Sequence, residues 1–223
     1  MKTLLLIVTL ALVAPAVSPA ADTAATPQET AYLADLNKRA EGVLKELKLT
    51  DADRAARVKQ AVIEQYRAIK QIDEERLSAV PKDDKAAADK AKEEAAAAKK
   101  PLHDAFIAKL LGELTPAQVE TVKDKMTYNV VRVTYDGFCD MIPELTEAQK
   151  DHILAQLKEA REIAMDQGSS NEKHAVFGKY KGRINNYLSK EGYDLKQASK
   201  AWAERRKARE PAAKQPPATQ PAG

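Results

Sequence analysis

The chain has a single cysteine, Cys139, so no intramolecular disulfide can form. No local motif joins it to His152, and it reads as a buried small apolar residue rather than a catalytic thiol. The three histidines are His103, His152 and His174. There is no HExxH and no Cys/His cluster, which argues against a transition-metal site. No glycine-rich phosphate loop of the P-loop or dinucleotide type occurs, and no GxSxG elbow. No cofactor is therefore expected. Net charge is scarce too. Lys and Arg number 36 against 33 Asp and Glu, a formal charge of +3 that becomes +2 once Lys2 is removed with a leader. That near-balance argues against a dedicated nucleic-acid binder.

The one long apolar run lies at the start. Lys2 precedes Leu4 to Val13, and Ser18-Pro19-Ala20 places small residues at both cleavage-determining positions. Residues 1–20 are expected to be a signal peptide cut after Ala20, and the mature chain to be periplasmic or extracellular. The run is too short to span a bilayer, so no membrane span is expected after cleavage. No cysteine follows it, which argues against lipidation.

What is present is helix. The expected fold is all-α, an elongated bundle with a long Ala/Lys/Glu-rich antiparallel hairpin. After a flexible lead-in (21–30), a single domain is expected over 31–209 and a disordered Pro/Ala/Gln tail over 210–223. Leu33, Leu36, Ala40, Val43 and Leu47 recur at helical spacing. Three segments open alike, at Leu49-Thr50-Asp51, Leu114-Thr115-Pro116 and Leu145-Thr146-Glu147. Each reads as an apolar residue followed by a threonine cap. Pro81 should divide two long helices. The stretch 83–100 is almost wholly Ala, Lys, Glu and Asp, with little to bury, and reads as an exposed arm. Thr127 to Tyr135 favours strand, but a lone strand is unstable, so helix is expected there as far as Met141. A last helix carries Leu195, Ala198 and Trp202, and Pro211 should end it.

The chemically richest stretch runs from Met165 to Leu195. Ser169 and Glu172 have capping-box spacing, and Phe177, Tyr180, Ile184 and Leu188 form an apolar face. Gly192 sits where a helix C-terminus wants it. Gly178 and Gly182 fall inside the helix, each costing roughly 1 kcal/mol relative to Ala. Two missing Cβ atoms there predict a close approach, by another helix or by a ligand. A ligand would be held by Asp166, His174, Tyr180, Lys181, Arg183, Asn185 and Asn186, the amides, cations and rings that suit a neutral polyhydroxylated molecule.

The run from Met126 to Trp202 resembles the secreted bacterial domain-of-unknown-function family 3826. The matching pieces are Lys125-Met126-Thr127-Tyr128, Val133-Thr134-Tyr135, the LTEAQ at Leu145, Lys158-Glu159-Ala160-Arg161-Glu162, Gly168-Ser169-Ser170, Phe177 through Leu188, and Gly192-Tyr193-Asp194. The resemblance implies an exported protein with a sugar-binding role, an oligo- or polysaccharide partner, and no catalytic residue that can be carried over. The expected function is a non-catalytic binding or accessory protein for carbohydrate use. The LTxxQ starts resemble periplasmic stress chaperones of the helical-hairpin type, which makes a chaperone the alternative. An enzyme using Asp166, Glu172 and His174 is the second alternative.

Overall fold

A computed structural model describes residues 26–213 apart from 79 and 82. The expected signal peptide (1–20) and most of the tail lie outside the described residues. Among the described residues there are eight helices and no strand: α1 (Pro27–Leu47), α2 (Ala52–Leu77), α3 (Lys85–Leu111), α4 (Pro116–Met126), α5 (Val130–Met141), α6 (Glu147–Met165), α7 (Ser170–Lys190) and α8 (Leu195–Ala213). The all-α bundle expected from the sequence is present.

Local chemistry explains the starts. Thr115, Thr146 and Ser169 each accept from the amide three residues on, and Gln118, Glu172 and Gln149 reach back to complete capping boxes. Such a cap contributes about 1 kcal/mol. At the first of the three similar openings, however, Asp51 is the cap and accepts from Arg54 N, so Thr50 is not. Helix α1 begins inside the expected lead-in, because Thr26 caps it and Pro27 needs no amide partner at N1. At the other end α8 continues past Pro211 to Ala213. Gly192, at φ +96°, supplies the left-handed turn after α7.

Thr127 to Tyr135 is helical beyond residue 129, but not continuously. Tyr128 (φ 59°) and Asn129 (φ 56°) are both left-handed and break α4 from α5. Cys139 is half-buried rather than buried.

The apolar faces close into two clusters. One joins α1, α2, the end of α3 and α4 around Leu36, Val62, Phe106, Leu110 and Val122. The other joins α5, α6 and α7 around Phe138, Leu157, Phe177 and Ile184, with Leu195 and Ala198 of α8 against it. Met165, at the end of α6, belongs to the first cluster and so ties the two together.

The Ala-rich segment is not a free arm. Ala91, Ala95 and Lys99 recur every four residues and are buried along α3, which packs antiparallel on α2. Small side chains let the two backbones approach, so burial here needs no large apolar residue. Pro101 lies inside α3 without ending it.

Candidate functional site

The two clusters are joined by a charged seam. Arg161 of α6 is almost fully buried and donates to Asp124 Oδ1 at 2.6 Å and to Glu120 Oε2 at 2.5 Å, both on α4. Lys123 donates to Glu162 Oε2 at 2.9 Å. His103 of α3 stands between two carboxylates of the α6 end, with Nδ1 at 3.1 Å from Asp166 Oδ1 and Nε2 at 3.4 Å from Glu162 Oε2. Those carboxylates, Asp166 foremost, raise the imidazole from 6.5 to about 9, so it is a cation at neutral pH. Burial works to raise Glu162, but His103 and Lys123 outweigh it and draw the carboxyl down to about 2.

Lys173, on the first turn of α7, is 1% exposed. Its Nζ donates to the carbonyls of Ala164 (3.0 Å) and Met165 (3.2 Å), capping the open end of α6, and lies 5.5 Å over the Tyr66 ring. Burial lowers this ammonium to about 8.

Where the seam reaches the surface it opens into two adjoining clefts. The larger, about 660 Å³, lies between α2 and α3 on one side and α6 and α7 on the other, with Lys99, His103, Asp166 and Ala175 in its walls. The smaller, about 500 Å³, carries Tyr32, Arg39 and Tyr66. Asp73, Leu77 and Glu172 line both. Lys99 Nζ stands 2.5 Å from Asp73 Oδ1, in ion-pair range, yet Oδ1 is buried with no hydrogen-bond donor. The contact is close but poorly directed, so charge pairing rather than a hydrogen bond holds this carboxylate.

Gly168, in the wall of the smaller cleft, lies close against Asp73. A Cβ there would lie 2.9 Å from Asp73 Oδ2, closer than real Cβ contacts come. This is the close approach that the sequence assigns to the wrong glycines. Among the described residues, Gly178 and Gly182 have nothing within 4 Å of where a Cβ would be.

The expected ligand residues do not converge. Asp166 lines the larger cleft. His174, Lys181, Asn185 and Asn186 are exposed on the outside of α7, and His174 stacks on Tyr128 with ring centroids 5.7 Å apart. Tyr180 is buried and donates to Glu159 Oε1 at 2.6 Å. Arg183 lies over the Tyr180 ring at 4.4 Å and is exposed. None of these six lines either cleft. Of the Asp166/Glu172/His174 trio, Asp166 and Glu172 share the larger cleft, but Glu172 is bonded to Ser169 as a helix cap and His174 faces outward, away from both.

The sequence passes over Asp73, Lys99 and His103. Ala91, Ala95 and Lys99, four residues apart, are the signal that could have found the α3 wall. His103 carries no comparable mark, since Asp166 lies 63 residues further on.

A family model described as Protein of unknown function (DUF3826) matches residues 33–208. The chain belongs to that family. No curated protein matches it. The DUF3826 span covers every residue of the larger cleft. No described helix is long and apolar enough to cross a membrane, and no described group of acidic, His or Cys side chains is arranged to hold a metal ion.

Proposed function

We propose that this is an exported, non-catalytic binding or accessory protein for carbohydrate, and that the ligand seats in the paired clefts rather than on the outer face of α7. The observation that carries this is the larger cleft itself. Its volume of about 660 Å³ falls within the range of small-molecule sites. Its lining sets apolar side chains, Leu77 and Val176 among them, beside the carboxylates of Asp73 and Asp166. The adjoining cleft adds the Tyr32 and Tyr66 rings. Apolar surface interleaved with carboxylates suits a sugar, whose ring faces are apolar and whose hydroxyls donate to carboxylate oxygens.

The alternatives have less support. A client-binding chaperone needs a contiguous apolar surface. Among the described residues the exposed large hydrophobics are Leu111, Tyr128, Val133 and Ile163, spread over α3, the α4–α5 turn, α5 and α6. General acid–base chemistry needs a group poised near neutral pH, whereas His103 is held protonated and paired on both ring nitrogens.

Isothermal titration of the mature protein against oligosaccharides cut from pectin, hemicellulose and glycosaminoglycan tests the proposal. Saturable heat with at least one class is expected. Folded protein that gives no heat with any of them would overturn it.

A further inference from the structure

We infer that the mouth of the larger cleft between α3 and α7 recognises an anionic group on the saccharide, a ring carboxylate or a sulfate ester, through Lys92 and Lys179. This rests on the carbohydrate proposal and narrows its ligand class.

The ground is charge matching within the cleft. Each carboxylate of its lining has a partner in the protein. Asp73 faces Lys99, Asp104 accepts from Lys100 at 3.1 Å, Glu162 from Lys123, Asp166 from His103, and Glu172 from Ser169. Those pairs use up Lys99, Lys100 and His103 as well. The cations left over in the lining are Lys92 and Lys179, neither of which makes an ion pair among the described residues.

The two ammoniums bear on one place. Asp89, one turn before Lys92 on α3, is held below the usual carboxylate range by Lys85 first and then by Lys92 and Lys179. Lys85 is bonded to it at 2.5 Å. Counting His103 as charged, the lining holds five cations and five carboxylates, so the positive surplus is local to Lys92 and Lys179, beside an Asp89 that Lys85 already pairs. Each ammonium offers three donors on a flexible stem, so a planar carboxylate and a tetrahedral sulfate are both within their means. Both lysines are exposed, so a neutral ligand leaves them hydrated at no cost, and the preference for an acidic ligand is moderate and salt-sensitive.

Matched-length neutral, uronate-bearing and sulfated oligosaccharides, titrated into the full mature chain and into a Lys92→Gln/Lys179→Gln variant, test this. The unsubstituted protein should bind one acidic class about tenfold tighter than the neutral one, with the margin gone in about 0.5 M NaCl. The double variant should lose the margin and keep the neutral affinity. A Lys92→Arg/Lys179→Arg variant should retain it, which separates charge from any disturbance of the fold. Whichever acidic class holds the margin identifies the group as carboxylate or sulfate. Equal binding of acidic and neutral ligands, or a margin that survives in the glutamine variant, overturns anion recognition and leaves the carbohydrate proposal standing. Binding of no saccharide at all overturns both.

Discussion

Two polar surfaces flank α7, and they are built on opposite terms. On the cleft side, Asp166, Glu162 and Asp73 are held by His103, Lys123 and Lys99, which come from distant parts of the chain. On the outer side of α7, Lys181, Asn185 and Asn186 share a helix but no partner element. The outer face is richer in the amides and cations associated with ligand binding, yet it encloses nothing. Residue type alone therefore does not mark a site. What separates the two faces is whether a second helix fixes the side chains and excludes water.

The largest expected effect lies in the seam beneath the cleft. Arg161→Ala strips the partner from Glu120 and Asp124 and leaves a buried void, and should cost about 3 kcal/mol in urea denaturation. A loss under about 1 kcal/mol would mean the seam contributes little to stability.

His103 comes next. Its folded value of about 9 lies above its ordinary 6.5, so its contribution is fully present below pH 6.5 and is lost as pH rises through 9. Lys173 runs the other way. Its folded value of about 8 lies below 10.5, so its contribution is present above 10.5 and is lost as pH falls through 8. Comparing the unsubstituted protein with His103→Gln cancels the lysine. The difference in stability between them should shrink by about 2 kcal/mol from pH 6 to pH 9.5, after allowing for partial solvent screening. A pH-independent difference would show that folding does not raise the imidazole above its ordinary value.

The glycines sharpen the contrast further. Gly178→Ala and Gly182→Ala, placed mid-helix with open space beside them, should each stabilise the protein by about 0.5–1 kcal/mol. Gly168→Ala pushes against Asp73 and should destabilise it by about 1 kcal/mol. Thermal denaturation of the three variants reads both signs at once. The smallest change is expected from Asn185→Ala/Asn186→Ala, within about 0.5 kcal/mol in stability and with oligosaccharide affinity intact by titration calorimetry.

Much of the fold is legible because it is written locally. Thr115, Thr146 and Ser169 announce their helices through one hydrogen bond three residues away. The apolar face of Phe177, Tyr180, Ile184 and Leu188 follows from the helical repeat and is buried as that repeat requires. The turn at Tyr128 and Asn129 is not legible, since neither residue is a glycine and only Asn favours the left-handed region. The site is hardest to read because it is non-local. Asp166 is visible as a polar residue after a helix, but its partner on α3 and the carboxylate over Gly168 on α2 are set by tertiary packing. The Ala/Lys/Glu stretch misleads for a related reason. Composition gives its average polarity, whereas burial depends on which residues the helical repeat turns inward, Ala91, Ala95 and Lys99 among them.

The most direct measurement pits one face against the other. Oligosaccharide affinity would be compared between Ala175→Trp, which fills the larger cleft from an exposed helix position, and His174→Ala/Lys181→Ala/Asn185→Ala, which strips the outer face of α7. Affinity should fall by at least about tenfold in the tryptophan variant and hold in the other, a loss of about 1.4 kcal/mol or more. Retained binding with the cleft filled, together with lost binding on the stripped face, would contradict the seat proposed for the ligand.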